Sequence, residues 1–175
     1  MKTVYLLRHA KSSWDDPSLD DLDRPLAPRG RKAAPLMGAF MARKGYVPDR
    51  IICSAARRAR DTWDLAEEEM EEALGRELST EIREDLYGAS PRSVLAMIQA
   101  LPHSLESVLL VGHNPTMEAL ALALAETGDE KGMATMERKY PTAALAVLEF
   151  PTPRWSDVGE GGGHLRAFVR PKDLD

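Results

Sequence analysis

The sequence contains few of the residues that mark a secreted, membrane-spanning or nucleic-acid-binding protein. Its 175 residues include one cysteine, Cys53, so an internal disulfide is excluded and a reducing compartment is compatible with the chain. The apolar run near its start, Val4 to Leu7, is too short for a signal-peptide core or a membrane span. We therefore expect a soluble cytoplasmic protein that does not insert into membranes.

An excess of positive charge is also missing. The formal net charge is −5, whereas proteins that bind nucleic acid or anionic membranes normally present a basic face. We therefore predict no nucleic-acid partner. An anionic ligand is still compatible with this charge, because a pocket can be locally positive inside an acidic protein.

Motifs for a bound metal or nucleotide are absent as well. No His-x-His or His-Glu-x-x-His spacing occurs, and we predict no catalytic metal. The triplet Gly161-Gly162-Gly163 lacks the following Lys-Ser/Thr of a nucleotide-binding loop, so a hairpin turn is the simpler interpretation. We predict that the protein works without a cofactor.

What the chain does have is a regular alternation of strand-like and helix-like segments. Apolar runs typical of strands span residues 3–7, 50–53, 80–82, 107–111, 144–150 and 165–169. Apolar residues at helical spacing separate the first five runs, although Pro35 should kink or restart the first helix, which follows a polar loop over 11–28. This order predicts a single α/β domain over residues 1–175. We expect three layers, with a mostly parallel central sheet and helices on both faces.

Three of the predicted strands end in side chains suited to phosphate. Arg8-His9 follows the first strand, Ser54 to Arg58 follows the second, and Gly112-His113-Asn114 follows the fourth. Arginine is a fork-shaped, permanently charged phosphate ligand, and histidine changes its charge near physiological pH. Because ligands of such sheets bind outside the carboxyl ends of the strands, the coincidence predicts a phosphate site at this edge.

The helix after the second strand carries its charges in an unusual order. Arg57, Arg58 and Arg60 crowd its first turns and glutamates follow towards its end, which opposes the helix dipole. A phosphate bound at the start of the helix would explain this order. A solvated basic patch is the alternative interpretation.

Together these residues resemble the histidine phosphatase superfamily, whose fold is shared with cofactor-dependent phosphoglycerate mutases. Arg8-His9-Ala10 resembles the family's Arg-His motif, and Gly112-His113-Asn114 resembles its second histidine motif. The segment Ser54 to Thr62 resembles Ser-x-x-x-Arg-Ala-x-x-Thr, which selects Arg58 among the three arginines. The short length and three further stretches are similar to the SixA-type phosphohistidine phosphatases, namely Arg8-His9-Ala10-Lys11-Ser12-Ser13-Trp14, Asp23-Arg24-Pro25-Leu26 and Leu86-Tyr87 before a helix.

The resemblance implies a phosphatase in which neutral His9 attacks phosphorus and forms a covalent intermediate. It implies that Arg8, Arg58 and His113 are the other catalytic residues and bind the phosphoryl oxygens. Most relatives also use a carboxyl group to protonate the leaving group, and no residue here matches that position. Four carboxylates are candidates, although a surface role is the ordinary interpretation of each: Glu84, Asp85, Asp16 and Asp23.

The missing acid favours a P–N bond over a P–O ester. An alkoxide leaving group needs a proton, whereas imidazole, with a reference pKa of about 6.5, leaves as a neutral base once solvent protonates it. The predicted substrate is therefore phosphohistidine on a protein such as a histidine-phosphotransfer domain. A small phosphate ester, or a non-catalytic module that binds phosphoproteins, is the alternative. A cysteine phosphatase is excluded, because Arg58 follows Cys53 after four intervening residues where five are needed.

Overall fold

Seven strands and five α-helices form from residues 1–174, which the computed structural model describes. The strands are β1 Lys2–Arg8, β2 Arg50–Ser54, β3 Thr80–Arg83, β4 Ser107–Gly112, β5 Ala125–Gly128, β6 Leu145–Phe150 and β7 Gly163–Val169. The helices are α1 Pro28–Lys44, α2 Arg57–Leu74, α3 Pro91–Gln99, α4 Thr116–Leu124 and α5 Glu130–Arg138. Within this described part, no helix is both long and apolar enough to cross a membrane.

The strands make one sheet in the order β3-β2-β4-β1-β6-β7-β5. Strand β6 pairs antiparallel with both β1 and β7, and the other four pairings are parallel. Six strands therefore point the same way and β6 alone runs against them. The prediction of a mostly parallel sheet is confirmed.

Helices cover both faces of the sheet. Successive residues of a strand point to opposite faces, so the residues of β1 divide between two cores. Val4 and Leu6 of β1 belong to a core with α3, α4 and α5. Tyr5 and Leu7 belong to a second core with α1 and α2. The predicted three-layer α/β architecture is thus confirmed, with a buried central strand that leads directly to Arg8 and His9.

One strand and one helix lie where the sequence pattern predicted neither. Strand β5 and helix α5 occupy the segment between α4 and β6. Neither has the apolar pattern expected of a buried element, since no residue of β5 is fully buried and α5 buries only Gly132 and Met136. These elements form because β7 and the core beside it offer them partners, which a local pattern does not reveal.

Helix α1 corrects a second expectation. It runs unbroken through Pro35, so the proline does not restart it. Proline removes one helical hydrogen bond, and the packing of α1 against α2 is extensive enough to hold the helix together. The polar segment before α1 is a surface loop whose ends are hydrogen-bonded to each other, because Ala27 N–H donates to the Lys11 carbonyl at 2.8 Å.

Candidate active site

The three polar strand ends are neighbours in the sheet. Strand β4 lies between β1 and β2, with Arg8 paired to Gly112 and Cys53 paired to Val111. The segments that follow these strands therefore leave the sheet side by side. The structure brings Arg8, His9, Arg58 and His113 together at this edge, as the topology rule predicted.

His9 is held as a neutral imidazole with one defined tautomer. Its Nδ1 lies 2.7 Å from the Ala10 carbonyl oxygen, and because a carbonyl only accepts, Nδ1 carries the proton and donates. Burial, together with the nearby His113, Arg58 and Arg8, lowers the pKa of His9 to about 3. At physiological pH Nε2 therefore keeps a free lone pair.

His113 lies against His9, with 5.3 Å between the ring centroids. Its Nε2 is 2.8 Å from the Ser54 hydroxyl, while its Nδ1 is buried and has no hydrogen-bond partner among the described residues. Burial lowers the pKa of His113 to about 4, assisted by Arg58. A consistent hydrogen-bond arrangement has Ser54 O–H donating to Nε2 and leaves an Nδ1 proton to donate to a ligand.

Arg8 is anchored by one guanidinium nitrogen. Nη1 donates to the Tyr140 carbonyl at 2.9 Å, which also accepts from the Asn114 side chain at 3.1 Å. Burial lowers the pKa of Arg8. The backbone around it is fixed by Ala143, whose N–H reaches the carbonyls of both Arg8 and His9 at 3.0 Å. Ala143 has a φ of 61°, a left-handed conformation that costs about 1–2 kcal/mol for a residue with a Cβ.

The three arginines at the start of α2 have different surroundings. Arg57 and Arg60 are exposed, and Arg58 is only 6% exposed. Arg58 donates from Nη1 to the Asp21 carbonyl at 2.6 Å and from Nη2 to the Asp21 carboxylate at 2.9 Å. Arg57 instead pairs with Asp61 at 3.4 Å. The structure therefore singles out the arginine that the motif spacing selects.

Three buried side-chain nitrogens lack a hydrogen-bond partner within residues 1–174: Arg8 Nε, Arg58 Nε and His113 Nδ1. All three belong to residues that surround His9. A buried donor without a partner is costly, by about 1–3 kcal/mol, and native proteins leave few of them. Donors on two guanidinium groups and an imidazole suit the oxygens of a phosphoryl group.

Asp21 is the site residue that the sequence analysis missed. Its carboxylate accepts from Tyr87 O–H at 2.6 Å, from Arg58 at 2.9 Å and from Arg24 Nε at 3.1 Å. These hydrogen bonds, led by that of Tyr87, lower the pKa of Asp21 to about 2. An acidic residue three positions before Arg24 in a long loop was visible in the sequence, but nothing local connected it to Arg58.

The four carboxylates proposed as acids lie outside this cluster. Asp16 accepts from Ser18 and Asp85 pairs with Arg83, which lowers the pKa of each carboxyl. Glu84 and Asp23 are exposed. Within the described residues, none of the four makes a hydrogen bond or an ion pair with the residues around His9.

Two hydroxyl groups connect helix α2 to the site. The Ser54 hydroxyl, at the end of β2, contacts His113 and also accepts from the N–H of Ala56, after which α2 begins at Arg57. Thr62 donates to the Arg58 carbonyl at 2.7 Å and accepts from Ala10 N–H at 2.8 Å. Both residues belong to the Ser-x-x-x-Arg-Ala-x-x-Thr motif, which could have identified them as positioning groups.

Neither a metal cluster nor a reactive cysteine stands out near these groups. No group of three or more His, Cys, Asp or Glu side chains in residues 1–174 is arranged to hold a metal ion. Cys53 is buried in β2, and this burial raises the pKa of its thiol.

Comparison with known proteins gives three kinds of match. The family model of the histidine phosphatase superfamily (branch 1) matches residues 4–90. An uncharacterised protein of Mycobacterium tuberculosis is 38% identical over 168 residues, covering 95% of this chain and 100% of that protein. A solved structure of a candidate phosphohistidine phosphatase SixA from Agrobacterium tumefaciens is similar at a TM-score of 0.77 and 33% identity, over 97% of this chain and 98% of that one. A second candidate SixA, from Nakamurella multipartitia, matches at a TM-score of 0.76 and 28% identity, over 97% and 96% of the two chains.

Proposed function

This chain belongs to the histidine phosphatase superfamily, in its SixA-type branch, and on that premise we propose that it hydrolyses phosphohistidine on a protein. The reaction proceeds through a covalent phosphohistidine on His9. It needs no metal ion or cofactor, and its compartment is the cytoplasm. The observation that carries this proposal is the set of unpartnered nitrogens on Arg8, Arg58 and His113, gathered around a neutral imidazole.

The reaction begins at His9 Nε2. Its lone pair attacks the phosphorus, a P–Nε2 bond forms, and the bond from phosphorus to the substrate imidazole breaks. The departing imidazole keeps the bonding electrons and takes a proton from solvent. Water then attacks phosphorus, the P–Nε2 bond breaks, and orthophosphate leaves neutral His9 behind. The hydrogen bond from Nδ1 to the Ala10 carbonyl stabilises the positive charge that His9 acquires during attack.

The other groups hold the phosphoryl oxygens while charge moves across them. Arg8 and Arg58 contribute permanent positive charge, and His113 contributes a neutral donor aligned by Ser54. These groups are preorganised by contacts with the protein rather than by the substrate, which is the usual basis of electrostatic catalysis.

The ionised state of Asp21 favours a substrate with a P–N bond over a P–O ester. Asp21, the carboxylate that contacts Arg58, has its pKa lowered to about 2, so it stays ionised and cannot donate a proton near neutral pH. A site without a protonated carboxyl stabilises an alkoxide leaving group poorly, whereas imidazole departs without one. A small phosphate ester, the alternative substrate, would need an acid, and Asp21 does not supply one.

A substrate panel tests the proposal. We expect kcat/KM to be far higher for a histidine-phosphotransfer domain carrying phosphohistidine than for a phosphoserine peptide or p-nitrophenyl phosphate. Wild-type enzyme quenched during turnover should carry an acid-labile, base-stable phosphate, and His9→Ala should lose both turnover and label. Small esters hydrolysed as efficiently as phosphohistidine would instead assign a metabolite phosphatase. Binding of the phosphoprotein without any turnover would assign a non-catalytic module.

A further inference from the structure

A cavity of about 700 Å³ beside the active site is lined by an unusual concentration of positive charge. It lies between α1, the end of α5 and the segment that follows β7. Seven of the chain's 23 lysine and arginine residues line it, and we call it the basic cleft. Six of the seven are Lys11, Arg29, Lys32, Arg138, Lys139 and Lys172. No aspartate or glutamate belongs to the described residues that line it.

The positive charge of the basic cleft is largely uncompensated. The seventh cation, Arg170, pairs with Asp173 at 2.8 Å. In the part of the chain that the structure describes, the other six form no ion pair. The net charge of the whole chain is −5, so the local excess of positive charge in the cleft is opposite in sign to the charge of the protein as a whole. Their mutual repulsion disfavours folding, which is explained if a negatively charged partner binds them.

The basic cleft lies at the same end of the sheet as His9. Strand β7 runs parallel to β1, so Arg170 and Lys172 follow its carboxyl end. Lys11 comes two residues after His9. The lining residues Pro141 and Thr142 lead into Ala143, whose N–H donates to the Arg8 and His9 carbonyls. A molecule in the cleft would therefore reach the rim of the active site.

We propose that the basic cleft is the docking site for an acidic surface of the phosphoprotein substrate. The inference rests on the proposed function and specifies the chemistry of its partner. An acidic partner is repelled by most of this protein and attracted at the cleft, so the cleft orients the partner as well as binding it. Docking there places a phosphorylated side chain at His9.

The character of the side chains favours a protein surface over a small polyanion. Six of the seven cations have exposed side chains with long, flexible stems. Within residues 1–174, the side chains of Lys32, Arg138 and Lys172 make no hydrogen bond. A site built for one small anion fixes its donors, as Arg58 is fixed by Asp21. Exposed cations on long side chains instead attract a partner through their combined charge, which suits association between macromolecules.

Neutralising one cation from each wall tests the proposal. We expect Lys32→Gln, Arg138→Gln and Lys172→Gln, combined, to lower kcat/KM for a phosphohistidine-bearing, net-acidic histidine-phosphotransfer domain about tenfold at low salt, with the loss in KM. Added salt should reduce the difference from wild type. The kinetics with p-nitrophenyl phosphate should not change. A matched control combines Lys44→Gln, Arg76→Gln and Arg154→Gln, three exposed cations at the opposite end of the sheet, and should behave like wild type.

A binding measurement separates this inference from the proposed function. Fluorescein-labelled hexaglutamate should bind His9→Ala enzyme, and the cleft variant in that background should lose this binding while the control variant retains it. Binding that survives in the cleft variant, or that falls equally in the control, overturns the docking site, whatever the turnover results. Inorganic tripolyphosphate bound at the cleft without any hexaglutamate binding would overturn it in favour of a small-anion site. Phosphohistidine left intact by the wild type would overturn the proposed function alone.

Discussion

Burial and one hydrogen bond determine the protonation state and the tautomer of the His9 imidazole. The unfolded chain takes up a proton on this side chain near its ordinary pKa of 6.5, but the folded protein does so only near 3. Below about pH 6.5 the unfolded state therefore binds more protons, and the free energy of unfolding falls as the pH falls. The same surroundings that keep His9 neutral make the fold sensitive to acid.

This linkage gives a prediction for stability. Between about pH 8 and about pH 5, His9 should account for about 2 kcal/mol of lost stability. His9→Ala should lose correspondingly less than wild type over that interval, because the carboxylates contribute equally to both proteins. Guanidinium unfolding at the two pH values measures the difference. Parallel pH profiles for the two proteins would show that His9 is not kept neutral by the fold.

The arginines at the start of α2 allow an internal comparison between neighbouring residues. Arg58→Ala should lower kcat with p-nitrophenyl phosphate by more than a hundredfold, since loss of one preorganised donor typically costs about 2.7–4 kcal/mol. Arg57→Ala and Arg60→Ala remove the same charge from the exposed side of the same turn and should lose little. Equal losses in all three variants would indicate a diffuse basic patch in place of a specific ligand.

Helix α1 has two glycines that lie directly against the backbone of other segments, and they allow the helix to pack closely against those segments. A Cβ on Gly38 would meet the backbone of Ala66 in α2, with 2.6 Å to its Cα. A Cβ on Gly30 would meet the backbone of Lys11, two residues after His9, with 2.9 Å to its nitrogen. The first contact lies between two helices, and the second lies between α1 and the loop that follows His9.

We predict different results for these two glycines. Alanine gains about 1 kcal/mol of helix propensity, but separating packed backbone costs about 1–3 kcal/mol or more, so Gly38→Ala and Gly30→Ala should both be destabilised. Gly30→Ala should in addition lose kcat, because Lys11 and His9 move together. Denaturant unfolding and aryl phosphate turnover separate the effects, with Gly159→Ala as control because its Cβ meets nothing within 4 Å. A Gly38→Ala variant as stable as that control would contradict the packing argument.

For the molecule as a whole, the proposed chemistry depends only on side chains of the chain itself. Extended dialysis against a chelator should leave kcat and KM for p-nitrophenyl phosphate unchanged, since the imidazole and guanidinium groups supply the nucleophile and the charge. Metal analysis of the dialysed protein is the control. Strong inhibition that a divalent ion reverses would require a metal in the mechanism.

The sequence predicted those elements whose own residues have the apolar pattern of a buried strand or helix. Strands β1 and β4 are buried along nearly their whole length, and the apolar runs within them identified them together with the parallel order of the sheet. Strand β5 and helix α5 were missed because each is half exposed and is stabilised by β7 and the adjoining core. Pro35 was misjudged because helix packing outweighed a local preference.

Short-range order along the chain was enough to predict the alternation of elements except β5 and α5, and the edge of the sheet at which Arg8, His9 and His113 lie. Motif spacing was enough to select Arg58 among its neighbours. Only the tertiary structure decided the contacts between distant segments. Asp21 meets Arg58 across 37 residues and Tyr87 across 66, and the Ser54 hydroxyl of β2 meets His113 across 59. The basic cleft likewise gathers cations from α1, α5 and the segment after β7. The physical reason is that periodicity and motif spacing record what each segment buries, whereas the path of the chain determines which segments meet.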